Sequence, residues 1–176
     1  QGMFDWVITA IPAEQAAALM PVRFSYLNEI KQKKMLGCYS LMLGFKQPLH
    51  LDFDAALVKN ADISWISVNS SKPGRSADFT LLAHSSNKWA EANIDMHDDS
   101  VKQHLINEVC EVIKQDISHA EHIDLHRWRY ANVETQTGNN ALLDNKHKLA
   151  AIGDWCIKGR VESAFISGNN LNINMR

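Results

Sequence analysis

The last stretch of the chain, from Leu149 to Ile173, constrains the fold more than any other. A short apolar run, Leu149-Ala150-Ala151-Ile152, reads as a strand. A Gly153-Asp154 turn and Trp155-Cys156-Ile157-Lys158 follow, and Gly159 launches a helix that starts at Arg160. The spacing of Val161, Ala164, Phe165, Gly168 and Leu171 predicts that these residues share one helix face. Ala164 and Gly168 stand one turn apart, so a neighbour can approach the backbone closely there. The first N–H groups of such a helix lack intrahelical partners and, with the helix dipole, favour a phosphate. An acid directly after the strand can accept bonds from a ribose or ribityl hydroxyl. A plain core strand and packed helix would satisfy the same pattern.

The rest of the chain alternates strands and helices. Phe4 to Ile11 reads as a strand ending at Pro12, and Ala13 to Met20 as a helix stopped by Pro21. No turn precedes that first strand, which leads to the expectation that its sheet partners lie upstream of this chain. Met35 to Phe45 forms a long apolar strand, with shorter ones at Ala55 to Val58, Ile63 to Val68 and Phe79 to Ala83. Asn69 to Arg75, with Pro73-Gly74 inside it, has the chemistry of a solvated hairpin turn. Asp98 to about Gln115 is a helix with a stripe of Val101, Leu105 and Val109. From about Ile117 to Val133 the chain is extended. Alternation sends His122, Asp124, His126, Trp128 and Tyr130 to one face, and Ile123, Leu125, Arg127 and Arg129 to the other. Asn132 to His147 reads as a surface loop.

Composition excludes several classes. The net charge is −2, which gives no electrostatic footprint for nucleic acid. Apolar runs are too short for a membrane span, and no secretory signal opens the chain. Three scattered cysteines, Cys38, Cys110 and Cys156, without a CxxC pair, fit reduced thiols in a cytoplasmic protein. His119, His122 and His126 would share a face only if helical. In an extended segment with no fourth ligand nearby, no metal is expected there. No G-x-S-x-G elbow is present, so a serine hydrolase is set aside.

Two groups of residues carry a resemblance to a known family. The strand, the Gly153-Asp154 pair and the Gly159-to-Gly168 helix resemble the C-terminal FAD-binding segment of flavin-dependent amine oxidase-like proteins, most closely the bacterial renalase-like branch. Far from it in the chain, Trp65, the Ser70-Ser71-Lys72-Pro73-Gly74-Arg75 loop, His84-Ser85 and Trp89 follow in the same order as in renalase-like proteins. The resemblance spans nearly the whole chain and implies an α+β or α/β architecture. Residues 22–147 would form a substrate domain with a mainly antiparallel sheet flanked by helices. Residues 148–176 would be the closing strand and helix of a Rossmann-like FAD domain, with residues 1–21 as the segment joining the two. One departure is large: the eight glycines, at 2, 37, 44, 74, 138, 153, 159 and 168, contain no G-x-G-x-x-G. The expectation is therefore a C-terminal portion lacking the N-terminal half, inactive alone and prone to self-association through its exposed face.

The resemblance also implies an activity. Family members are FAD-dependent oxidases in which a hydride passes from a reduced substrate to the flavin, and oxygen then yields hydrogen peroxide. In the renalase-like branch the substrate is a dihydronicotinamide isomer of NAD(P)H, planar and nucleotide-like. Non-covalent FAD would be held by Gly153, Asp154, Gly159, Arg160, Val161 and Glu162. The substrate would meet His126, Trp128, Tyr130, Ser71, Lys72 and Arg75, and no catalytic residue is assigned. Amine oxidases commonly carry a lysine on the long substrate-domain strand, whereas this one reads Leu36-Gly37-Cys38-Tyr39. The alternatives are a flavin-dependent amine oxidase and a non-catalytic binding module with the substrate-domain fold. A phosphate-binding transferase ranks last.

Overall fold

The computed structural model of the chain describes residues 2–75, 78–134, 136 and 138–175. In order, the elements are β1 (Val7–Thr9), α1 (Ala13–Leu19), α2 (Leu27–Lys31), β2 (Met35–Phe45), β3 (Ala55–Leu57), β4 (Ile63–Val68) and β5 (Phe79–Ser85). They continue with α3 (Asn87–Ala92), α4 (Asp98–Ile113), β6 (His122–Val133), β7 (Leu142–Asp144), β8 (Leu149–Ala151) and α5 (Val161–Asn174). The fold is a mixed α/β one with a mainly antiparallel sheet flanked by helices, as the sequence predicts. The chain forms two compact units, one of residues 1–36 and 130–176, the other of residues 37–129. Both crossings fall inside long strands, β2 and β6, where the sequence shows no linker.

The second unit is built on the sheet β3-β4-β5-β2-β6. Across its antiparallel ladders Leu41 pairs with Ala83, and Ala83 with Ile66. Partners in register share a face, so these three and the residues two positions on form one apolar surface. Leu41, Leu43, Ile66 and Leu81 are buried there with Val101, Leu105 and Val109 of α4. Full burial of each such side chain stabilises by about 1.5–3 kcal/mol, so this face is the main support of the unit. The stripe read from the α4 sequence is the buried one. The helix ends where Lys114 turns left-handed, at φ 56°.

The first unit holds the sheet β1-β8-β7, with β1 parallel to β8 and β7 antiparallel to it. Its core gathers Ala13 and Ala16 of α1, Leu27 and Ile30 of α2, Leu142, Leu149, Ala151 and Trp155. Asp144 is buried and accepts bonds from Ser25 N (2.9 Å), Ser25 Oγ (2.7 Å) and His147 Nδ1 (2.8 Å). The His147 bond, more than the two from Ser25, holds its carboxyl well below the usual carboxylate range, against the effect of burial.

Two expectations need correction: β1, expected to find its sheet partners upstream, pairs parallel with β8 of this chain, Val7 with Leu149 and Thr9 with Ala151, and one expected loop holds a strand. The stretch 132–147 contains β7, whose Leu142 and Asp144 are buried, so it is not simply a surface loop; residues 135 and 137 lie outside the described residues. Val161 and Phe165 share a face of α5, as their spacing predicts, and that face is the exposed one. α5 buries Ser163, Ser167 and Leu171, while Val161 is 91 % and Phe165 75 % exposed. The reason is polar pairing. Ser167 Oγ accepts from Gly153 N (3.2 Å) and donates to Asn140 O (2.5 Å), which turns the serine side of the helix inward.

Candidate functional site

In the first unit, a pocket of about 210 Å³ lies beyond the ends of the parallel strands β1 and β8. Ala10, Ile11, Pro12, Ile152, Gly153, Asp154 and Trp155 line it, with Ala164 of α5, Met35 and Tyr130. Trp155 is fully buried, and its indole N–H donates to Ile11 O at 2.9 Å. Gly153 is extended, so its backbone alone does not demand glycine. A Cβ there would overlap the Trp155 indole, which excludes any side chain. The Asp154 carboxylate accepts from Trp155 N at 2.9 Å, and partial burial pushes its pKa up despite that bond.

The residues proposed to follow along the cofactor have a different setting. A Cβ on Gly159 would overlap Asn132 Oδ1 and approach Val133 N at 3.0 Å, so this glycine lets β6 pass close by. Arg160, Val161 and Glu162 are exposed at the start of α5, which has no side-chain cap. An uncapped fourteen-residue helix leaves N–H groups available to an anion. Gly153, Asp154 and the helix start therefore suit the sugar and phosphate parts of a dinucleotide cofactor. The pocket's small residues and its acid fit that group. Tyr130 joins this pocket, packed against the core of the first unit.

In the second unit, the sheet face opposite the α4 core carries a row of unusual composition. Register aligns Leu57 with Trp65, Trp65 with His84, and His84 with Ser40. The Trp128 indole donates to Ser40 Oγ at 3.1 Å, extending the row to β6, and the His126 and Trp128 rings meet at 4.0 Å. Farther along β2, Gly44 lets β6 approach closely, since a Cβ there would press the His122 Cβ at 3.2 Å. Beside the row, Ser67 is 2 % exposed and its hydroxyl has no partner among the described residues. Burial lowers the His84 pKa below 6.5, and the nearby charge of Lys72 lowers it further. Lys72 therefore stands within electrostatic reach of this face.

The other loop residues differ. Lys72 Nζ donates to Asn69 Oδ1 (2.8 Å), and Ser71 Oγ donates to Val68 O (2.9 Å), which ties that hydroxyl into its own turn. Arg75 is exposed. Trp65, His84 and Ser40 complete the row but were not assigned roles from sequence. The usable signal was the alternation within β5, where His84 interrupts an apolar strand. Of the three histidines weighed for zinc, His122 and His126 lie on β6 and His119 in a turn, so the helical spacing does not form. Two of the three thiols are buried, and burial raises Cys38 and pushes Cys156 up to about 11, away from the reactive thiolate.

The second unit thus carries a mainly antiparallel sheet with a row of aromatic and polar side chains, and the first a strand–turn–helix whose helix start is uncapped. The model of the flavin containing amine oxidoreductase family matches residues 2–170, and the chain belongs to that family. Its fold is shared with solved structures of low sequence identity. A candidate protoporphyrinogen oxidase from Exiguobacterium sp. 255-15 is 16 % identical, with a TM-score of 0.71 over 96 % of this chain and 41 % of its own. An oxidoreductase from Methanosarcina mazei is 13 % identical, with a TM-score of 0.63 over 98 % and 43 %. Cyclohexylamine oxidase from Brevibacterium oxydans IH-35A is 11 % identical, with a TM-score of 0.62 over 96 % and 43 %. The chain thus spans about two-fifths of the length of these structures. Among the described residues, no helix is long and apolar enough to cross a membrane.

Proposed function

We propose that this chain contributes the substrate-facing sheet and the C-terminal cofactor segment of a renalase-like, FAD-dependent oxidoreductase. Its substrate would be a planar, nucleotide-like dihydronicotinamide isomer, with oxygen as the final acceptor and a cytoplasmic setting. FAD, when bound without a covalent link, supplies hydride acceptance and peroxide-forming reoxidation. The protein's part is binding and orientation. Gly153 and Asp154 would hold the sugar portion, with Asp154 accepting a hydroxyl, and the backbone at Gly159 to Glu162 would hold phosphate. Trp65, Trp128 and His126 offer flat surfaces for stacking a ring, while Lys72 and Arg75 supply positive charge for an anionic substrate group.

The observation that carries this reading is the row Trp65–His84–Ser40 with Trp128 bonded to its end. It is aromatic and polar, and contains no carboxylate to hold an ammonium group. An activated dihydropyridine donates hydride without a strong base, which agrees with the row's lack of one. The second reading, a flavin-dependent amine oxidase, draws on the family itself and on the aromatic pair, which can hold a cation over its faces. A non-catalytic binding module is the third. The unit containing β1 and α5 would in any of these cases take a further layer, or a second copy, on its exposed apolar surface.

The test is an anaerobic titration followed by flavin absorption. This chain is to be expressed together with a glycine-rich dinucleotide-binding half and loaded with FAD. Reduction by dihydronicotinamide isomers but not by primary amines supports the proposal, and the reverse pattern moves the assignment to amine oxidation. Failure of any flavin to bind leaves the binding module. Asp154→Ala is expected to weaken FAD at least tenfold, which matches the loss of one charged hydrogen bond of about 1.5–3 kcal/mol.

A further inference from the structure

Away from both sites, three ligating side chains converge where the β3–β4 turn meets α4. His104 and Glu108 stand one turn apart on α4 and share a face. Asp62 approaches from the turn, with its Oδ2 2.9 Å from His104 Nε2. One ligand atom from each of the three lies within 4.8 Å of the others. We infer that Asp62, His104 and Glu108 form a binding site for a first-row transition-metal dication of the zinc or cobalt class.

Pre-organisation supports the assignment. The Asp62 backbone is held on both sides: its N–H donates to Glu108 Oε2 at 3.0 Å, and its carbonyl accepts from Ser86 N at 2.6 Å. The His104 ring stacks on Trp89 with centroids 4.6 Å apart and planes 3° from parallel, which fixes the direction of Nε2. Val101, Leu105 and Val109 anchor the same helix in the core. Ligand atoms of a tetrahedral zinc site sit about 3.3 Å apart, given bonds of roughly 2.0–2.1 Å. Small side-chain rotations would therefore close the observed spread. The His104 and Asp62 side chains are 37 % and 41 % exposed, leaving room for water to complete the shell. One imidazole with two carboxylates suits borderline dications, whereas calcium would need six or more oxygens. Lys88 lines the adjoining depression with Asp62 and Trp89, and its single positive charge is outweighed by two carboxylates.

The competing role for these residues is a hydrogen-bonded clamp of the turn onto α4, with no ion. Titration of the metal-free chain separates the two, using Zn²⁺ by calorimetry and Co²⁺ by visible absorption. The expected result is one equivalent of Zn²⁺, a Co²⁺ spectrum, and a Kd raised at least tenfold by His104→Gln and by Glu108→Gln. His50→Gln, at an exposed histidine elsewhere, should leave binding unchanged. Glu108→Gln keeps an acceptor for the Asp62 N–H, so it decides the matter if His104→Gln folds poorly. No stoichiometric binding, or a change smaller than tenfold in Glu108→Gln, overturns the site and leaves the clamp.

Discussion

The two units expose apolar surface in different ways. In the second, the sheet face under α4 is closed, and what the opposite face presents is selective: Trp65, His84 and Trp128 in one cross-strand row. In the first, exposure is broad and mixes aliphatic with aromatic side chains. Val7 and Ile8 are 48 % and 45 % exposed, and consecutive strand residues point to opposite faces, so β1 shows apolar surface on both faces before Thr9 is buried. β1 is also an edge strand, and α5 turns Val161 and Phe165 to solvent. A selective row is what a ligand surface requires. A broad apolar edge is what a further protein layer requires.

This contrast can be broken experimentally, and the core substitutions should have the largest effect. Trp155→Ala removes the largest buried side chain of the first unit and should cost about 3–5 kcal/mol. Leu41→Ala in the second should cost about 2–5 kcal/mol, both measured by denaturant unfolding. A loss under about 1 kcal/mol for Trp155 would mean that the first unit has no working core of its own. Next, Gly153→Ala places a methyl against the Trp155 indole and should cost about 1–3 kcal/mol. Tyr39→Phe removes a hydroxyl within 2.9 Å and 3.0 Å of the Asn93 and Ile94 carbonyls, for a loss of about 0.5–1.5 kcal/mol.

Smaller effects sharpen the functional half of the contrast. His84 has a folded pKa below its ordinary value, chiefly through burial and secondarily through Lys72. The unfolded chain therefore binds the proton more readily, and stability from this residue falls as pH drops from its ordinary value of 6.5 through the lower folded one. In Lys72→Met the NMR titration of His84 should move up, yet stay below the ordinary value because burial persists. No movement would place Lys72 away from the row. Last, Val161→Ser with Phe165→Ser should change stability by less than about 0.5 kcal/mol, since both side chains are already in water. The pair should lower any self-association seen by sedimentation, and an unchanged association would assign that surface to solvent.

Periodicity carried a good part of the fold. β2 spans Met35–Phe45 and β4 Ile63–Val68, as their apolar runs predict, and the α4 stripe faces the core. These elements bury apolar side chains, and burial is what an apolar pattern reports. Patterning grouped Val161 and Phe165 on one face of α5 but did not show which side of the helix turns inward, because that helix is oriented by Ser167 bonding to Gly153 and Asn140. A serine facing a backbone partner looks the same in sequence as one facing water. It missed β7 for a similar reason, since Leu142–Asp144 is three residues long and its buried acid is stabilised by Ser25 and His147. The aromatic and polar row was half legible: Trp128 and His126 stood out by alternation on β6, whereas Trp65, His84 and Ser40 become neighbours only through strand register.

The sequence by itself determined the long strands, the helices α1, α4 and α5, the strand–turn–helix near the C-terminus and the family to which the chain belongs, because these rest on local propensity and motif. Only the tertiary structure decided which glycines are indispensable: Gly153 for the Trp155 indole and Gly159 for the passage of β6. It alone brought Asp62 to His104 and Glu108, and aligned Trp65 with His84 and Ser40. Each of those depends on partners distant in the chain, and a distance between such partners is set by packing and register rather than by any local run of residues.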